Sequence, residues 1–451
     1  MTGLGQFDRR KFIQALGLGI ASVGGASVLA ACSDQVGTGG GSGGSTSGSG
    51  GGSGGGSGKP GLVLASVPTL DNEYFTLWQI GGSQAAKALG INFRMQSYNS
   101  SAQTQIGQMQ AASAAGVTQV MTFPFNNDAV KQIGSILSKQ KIPFDTSFSA
   151  TPWSVPSDPS FGGGYALLNY PREIAGQQAM SEAVFKAIGG KGNVCYVNGA
   201  PTDRTSALRK KGFDQAVAKF PGIKVLDTQY GNQNGQDTRP VVQAFLAKHS
   251  NIDAIICHNS SEALGAVSVL EQKGNTHIKV GSTDEQAAIL QKLVDGPNVV
   301  AVQSIYGSWL GGYMVVRAFD VAHGVKLDPL ELMMFQDAVV LDTKDAVKEY
   351  QRAANANPLG FDWKKMSRHL NPNDWDTGVA LAVNEPESFF AKDLGVPKPS
   401  GFKFPDALQK SIDAGNVDKL TQMYASHAKN NPFADAVKKT TTKKSVFGIS
   451  Y

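Results

Sequence analysis

From Gly61 onward, short runs of apolar and β-branched residues alternate with longer stretches in which apolar positions recur every three or four residues. The runs fall into two series. GLVLASV, NFRMQSY, TQVMTF and KIPFDTS form the first, and NVCYVN, IKVLDT, DAIICH and HIKVGS the second. Runs of this length, separated by about 20 residues of helical periodicity, predict strands joined by helical crossovers. Two such series predict two parallel, doubly wound sheets. Between them, TPWSVPSDPSFGGG (Thr151 to Gly164) is rich in Pro, Ser and Gly and long enough to be an insertion; its Trp153 either covers the mouth of a cleft or packs down. Beyond Val340 the alternation stops. Helical patterns cover Asp345 to Ala356 and Phe404 to Tyr424, and the tail reads as an appendage ending in a frayed KKTTTKKSVFGISY.

The N-terminus has a different pattern. A basic patch, Asp8 to Lys11, precedes an apolar segment from Phe12 to Ala31, small residues and Cys32, which is the layout of a signal peptide. Gln14 and several glycines interrupt the segment, so it is a poor permanent membrane span. Asp8-Arg9-Arg10-Lys11-Phe12-Ile13 resembles the twin-arginine export signal, departing from it at Asp8 and Ile13, and Leu29-Ala30-Ala31-Cys32 resembles a lipoprotein box. The second resemblance implies cleavage before Cys32 and lipidation of its sulfur, with more than one acyl chain, since a single chain holds a membrane only marginally. Residues from Gly37 to Gly58 are almost all glycine and serine, too few side chains to offset the ordering entropy of a fold. They predict a flexible tether with a span of about 25 Å.

Charge and composition exclude several classes. The formal charge is +5, of which residues 1–31 carry +2, leaving +3 on the processed chain, too little to argue for nucleic acid. Besides Cys32, only Cys195 and Cys257 are present, both within apolar runs, which favours buried thiols over a disulfide. The six histidines (His249, His258, His277, His323, His369 and His427) lack metal-ligand spacing, and Gly-x-Ser-x-Gly occurs only in the tether, where composition guarantees it. No catalysis, metal or cofactor is expected.

Four motifs then carry a family resemblance. Leu70-Asp71-Asn72-Glu73-Tyr74-Phe75 follows the first strand; GAPTDRTSALRKKGF spans Gly199 to Phe213; CHNSSEALGAVSVLEQKG spans Cys257 to Gly274; VGSTDEQAA contains Asp284. In that order and spacing they resemble the ribose-type sugar-binding proteins, the type I periplasmic binding proteins of ABC importers, over roughly Leu62 to Val340. The fourth motif is one residue longer than the family pattern, which leaves the register of Asp284 open. The resemblance implies an α/β fold of two Rossmann-like lobes joined by a hinge and closing on a ligand, followed here by a mostly helical extension. It apportions the chain as signal peptide 1–31, tether 32–58, first lobe 59–168 with about 304–335, second lobe 169–303 with about 336–344, and extension 345–451. It further implies a monomeric, lipid-anchored protein on the outer face of the cytoplasmic membrane, partnered by an ABC permease; a lipid-tethered sensor that presents its ligand to a receptor is the alternative.

The quoted residues fall at carboxyl ends of strands, where open α/β sheets bind ligands. A sugar or polyol needs planar partners for its hydroxyls, which Asn72, Asn259, Arg209 and Asp284 provide, and flat walls for its C–H faces, which Tyr74 and Phe75 provide. Each has a structural alternative: core packing for Tyr74 and Phe75, helix capping for Asn72 and Asn259, and surface pairing with Asp203 or Asp214 for Arg209. After the fourth strand, where ribose-type proteins carry an Asp-Arg pair, this chain has Ser147-Phe148-Ser149. With Phe123 and Phe125 after the third strand, Phe148 makes the expected site more apolar than a pentose site. Phe123, Phe148 and Tyr306 are further candidate ligand contacts.

Overall fold

The computed structural model describes residues 61–201 and 203–451. The export signal, the lipoprotein box and the tether therefore lie outside the described residues. The described residues belong to one compact unit.

Ten strands follow one another with intervening helices: β1 (Leu62–Val67), β2 (Asn92–Ser97), β3 (Gln119–Thr122), β4 (Phe144–Ser147), β5 (Tyr165–Pro171), β6 (Lys191–Asn198), β7 (Gly222–Tyr230), β8 (Ala254–Cys257), β9 (Lys279–Thr283) and β10 (Val299–Ser304). Three short strands complete the sheets: β11 (Met333–Gln336), β12 (Val339–Leu341) and β13 (Leu381–Val383). The first sheet has the order β13-β11-β5-β4-β3-β1-β2 and the second β12-β10-β9-β8-β6-β7. Pairing is parallel except at the two outer strands, β13 on β11 and β12 on β10.

Nine helices belong to this alternating region: α1 (Glu73–Leu89), α2 (Ala102–Ala111), α3 (Ala129–Lys139), α4 (Glu173–Ala187), α5 (Arg204–Lys219), α6 (Gly235–Lys248), α7 (Ser260–Gln272), α8 (Ala287–Asp295) and α9 (Gly307–Ala322). Strand periodicity explains how the second sheet is covered on both faces. Along β6, Val194 and Tyr196 join Met180 and Phe213 of α4 and α5. Their neighbours Cys195 and Val197 join the cluster that includes Val242 of α6 and Ala263 of α7. Cys195 and Cys257 are buried free thiols, and burial pushes the Cys195 thiol up to about 12.

The chain passes between the sheets at three short links, Pro171–Glu173, Ser304–Gly307 and Gln336–Val339, and returns to the first sheet once more through the long segment between β12 and β13. α9, which follows the second passage, is apolar on nearly all sides and buried from Gly307 to Asp320, as expected of an internal helix. It packs closely on α1 because both carry paired glycines. A Cβ on Gly81 would collide with the Ser308 carbonyl, and one on Gly311 with the Trp78 backbone.

The region after residue 344 is not an appendage. It contributes β13 to the first sheet and roofs α9: Trp309 donates its indole N–H to Thr377 O at 2.7 Å, and Arg317 donates to the Tyr424 hydroxyl at 3.0 Å. Trp153 packs down against this region, on Phe390, Phe402 and Phe404. Gly415, at φ 68°, divides the helical pattern of residues 404–424 into Asp406–Asp413 and Asn416–Ser426. Nor does the C-terminus fray: the Val446 amide donates to Ala338 O and the Phe447 amide to Asp337 Oδ1, at 2.8 and 2.9 Å. Local composition suggests a loose end, but backbone donors docked on the third passage override it.

Gly81→Ala is expected to lower stability by about 1–3 kcal/mol through overpacking, read as a reduced urea midpoint; an unchanged midpoint would contradict the close helix contact. Burial raises the Asp337 carboxyl from 3.8 to about 7. Across that interval the folded chain retains a proton that the unfolded chain has lost, so this group's contribution to stability declines as pH rises through 7. The thermal midpoint should fall from pH 5 to 7.5, and less steeply in Asp337→Asn; parallel profiles would refute the assignment.

Candidate functional site

On the second-sheet side, three elements converge on one guanidinium. Asp203 caps α5 by accepting from the Thr205 and Ser206 amides, which starts the helix so that Arg209 lies on its buried face. Arg209 Nε donates to Glu173 Oε2 at 2.6 Å and Nη2 to Glu173 Oε1 at 3.1 Å, while Nη1 donates to His258 O at 2.7 Å. Asp284 Oδ1 is 3.5 Å from Nη2. Asp284 follows β9 at φ 77°, a strained conformation for a non-glycine residue, and its carbonyl accepts from the Ser260 hydroxyl. Burial opposes the Arg209 charge, but Glu173 and then Asp284 outweigh it and hold the pKa up. Burial raises both carboxyls, and Arg209 only partly offsets this because the two share it. His258 is held neutral by burial and by Arg209.

On the first-sheet side the wall is aromatic. Tyr74 and Phe75 occupy the first turn of α1, and Phe123 and Phe148 follow β3 and β4. Tyr74 meets Phe148 edge-on at 5.9 Å, Phe75 meets Phe123 at 5.6 Å, and Phe123 stacks on Phe148 at 5.5 Å. Phe148, at φ 61°, donates its backbone N–H to Asn169 O at 3.1 Å. The turn carrying Phe123 and Phe125 is fixed by Gln105, which donates to Phe123 O and accepts from the Phe125 amide.

The two walls are drawn together. The Ala287 amide donates to Glu73 Oε1 at 2.9 Å, setting residues 284–287 against residues 72–75, and Arg204 Nη1 reaches Ala150 O at 3.4 Å. Glu285 accepts from the Ile305 and Gly307 amides, and a Cβ on Gly307 would stand 2.9 Å from Tyr74 Cε2. Tyr74 thus lies beside the Asp284–Glu285 turn. Burial pushes its phenol far above the ordinary range, Trp78 partly opposes this, and the charges of Glu285, Asp284 and Glu173 add to the rise. The Tyr74 hydroxyl has no hydrogen-bond partner among the described residues, the Trp78 indole N–H beside it falling short of hydrogen-bond geometry.

Of the residues picked out by sequence, Arg209, Asp284, Tyr74, Phe75, Phe123 and Phe148 are brought into these two walls. Asn72 and Asn259 stand at the same cleft as helix caps: Asn72 Oδ1 accepts from the Tyr74 amide, and Asn259 Oδ1 from the Glu262 amide, both at 2.9 Å. Tyr306 lies elsewhere, tilted on Phe433 at 5.4 Å and buried under the C-terminal region. Glu173 is the residue that sequence reasoning missed, because an acidic residue in a first helical turn ordinarily marks only the helix dipole. Gln303 and Gln177 were also unmarked; each carbonyl lies near the Thr283 hydroxyl, at 3.1 and 3.0 Å, and each amide nitrogen is buried without a partner among the described residues. No group of three potential metal ligands occurs among the described residues. The arrangement suits reversible capture of a small polar molecule with one flat apolar side.

Comparison with known proteins agrees with this fold. Residues 63–318 match the periplasmic binding protein domain family. The xylitol-binding protein of Mycolicibacterium smegmatis is 25% identical over 62% of this chain and 77% of its own. The D-apiose import binding protein of Paraburkholderia graminis is 26% identical over 51% of this chain and 72% of its own. Among solved structures, a twin-arginine translocation pathway signal protein from Burkholderia phytofirmans superposes with a TM-score of 0.61 at 24% identity, over 68% of this chain and 95% of the other. A solute-binding protein from Actinobacillus succinogenes with bound D-allose gives 0.58 at 23% identity, over 65% and 100%. These neighbours share the two-lobed fold, and the named relatives are binding proteins. Since the family match spans more than half of the 451 residues, the chain belongs to the periplasmic binding protein family.

Proposed function

We propose that this protein is the substrate-binding component of an ABC importer, anchored outside the cytoplasmic membrane by lipid on Cys32. It captures a small sugar or polyol between its lobes and delivers it to the permease. The observation that carries this reading is the convergence, across one cleft, of a charged hydrogen-bonding wall built on Arg209 and an aromatic wall built on Tyr74 and Phe148. Hydroxyl groups meet the first and C–H faces the second. Relatives named for xylitol and D-apiose binding support a hydroxylated ligand. Among the described residues no helix is long and apolar enough to cross a membrane.

A ligand at 100 times its Kd should stabilise the chain by about 2.7 kcal/mol. A thermal-shift panel of sugars and polyols, neutral and amino-substituted, tests this; no shift with any of them overturns the reading. Tyr74→Phe removes only an unpartnered hydroxyl and should weaken the bound ligand about tenfold, about 1.4 kcal/mol, without lowering the midpoint of the free protein. Undiminished binding would remove Tyr74 from the site. Labelled fatty acid should enter the wild-type chain and not Cys32→Ser; equal labelling would refute the anchor.

A further inference from the structure

The cleft holds more carboxylates than cations: beside the Glu173–Asp284 pair on Arg209, Glu285 accepts from the Ile305 and Gly307 amides and forms no ion pair among the described residues. Glu173 and Asp284 share Arg209, and among the described residues no other Lys, Arg or His lies within 4.0 Å of either carboxylate. Asp203 is engaged by the Thr205 and Ser206 amides, and Arg204 reaches Ala150 O, so neither pairs with the Glu173–Asp284 carboxylates. The opposite wall supplies no cation. The segments that follow β1 to β4, from Pro68 to Asn72, Tyr98 to Ser101, Phe123 to Asp128 and Phe148 to Trp153, contain no lysine or arginine, and Glu73 adds a carboxylate already engaged by the Ala287 amide. What that wall does supply is aromatic surface, together with the Tyr74 hydroxyl, which belongs to a residue only 8% exposed and has no partner.

A desolvated carboxylate without a full counter-charge is unfavourable, and it is relieved either by taking up a proton, toward which burial already moves Glu173 and Asp284, or by a cationic ligand group. Aromatic faces close to carboxylates are the arrangement that stabilises an ammonium group, by cation–π attraction on one side and charge-assisted hydrogen bonds on the other. Resting on the sugar-or-polyol reading above, we propose that the ligand is a hydroxylated amine. Its ammonium group neutralises the Glu173–Asp284 pair beside Tyr74 and Phe148, and its hydroxyls meet the Tyr74 oxygen and the remaining amides.

Calorimetric titration of the full chain at pH 7 with matched pairs tests this. The pairs are D-glucosamine and D-glucose, 1-amino-1-deoxy-D-glucitol and D-glucitol, and an amino-substituted pentose and cyclitol with their neutral parents. The amine of at least one pair should bind at least tenfold more tightly than its parent, and that preference should shrink in Asp284→Asn and in Glu173→Gln. Asp284→Asn leaves the shorter Arg209–Glu173 bridge intact, so it reads the charge effect even where Glu173→Gln disturbs folding. Neutral parents binding as tightly as the amines, or a preference unchanged in Asp284→Asn, overturns the amine and leaves the sugar-or-polyol reading standing. Binding by neither member of any pair overturns both.

Discussion

The buried guanidinium of Arg209 is the interaction on which the second half of the cleft depends. It gathers the first residue of α4, the middle of α5, the end of β8 and the turn after β9 at one point. A buried charge is tolerated only when paired and hydrogen-bonded, so this side chain is scaffold as much as recognition. Breaking such a pair by removing one partner costs about 3–5 kcal/mol. Arg209 therefore cannot be read simply as a ligand contact, and loss of binding on its removal would mix two effects.

The opposing wall owes its form to backbone conformation and packing. Phe148, just after β4, and Asp284, just after β9, each adopt a left-handed backbone conformation. Such conformations persist where surrounding contacts over-determine them, and here the Asn169 carbonyl and the Ser260 hydroxyl are among those contacts. Arg209 and Glu173 are buried, and charge interactions strengthen away from bulk water. The uneven division of one cation between two carboxylates thus becomes a determinant of what the cleft will hold.

The C-terminal region connects this site to the rest of the molecule. It completes the first sheet, covers α9, docks its last residues on the third passage between the sheets, and reaches the second lobe where Lys211 bonds Lys392 O at 2.5 Å. It therefore touches both lobes and one hinge strand, and any opening of the cleft must accommodate it.

Much of this architecture was legible in the sequence. Short apolar, β-branched runs marked eight strands, because strands buried on both faces are near-continuously apolar. Helix starts were readable at Asn72 and Asn259, and the order of four motifs indicated the fold. β5 and β10 were not marked as strands; the three short strands, the docking of the tail and the position of Tyr306 were not readable, since each of these depends on partners more than 25 residues away in the chain, such as Phe433 for Tyr306 and Ala338 for Val446. Residue types alone determined that a polar ligand could meet amides, a guanidinium and aromatic rings. Only the tertiary structure decided that Arg209 is already engaged by Glu173, because electrostatic balance is a property of distances and burial, and neither is carried by the order of residues.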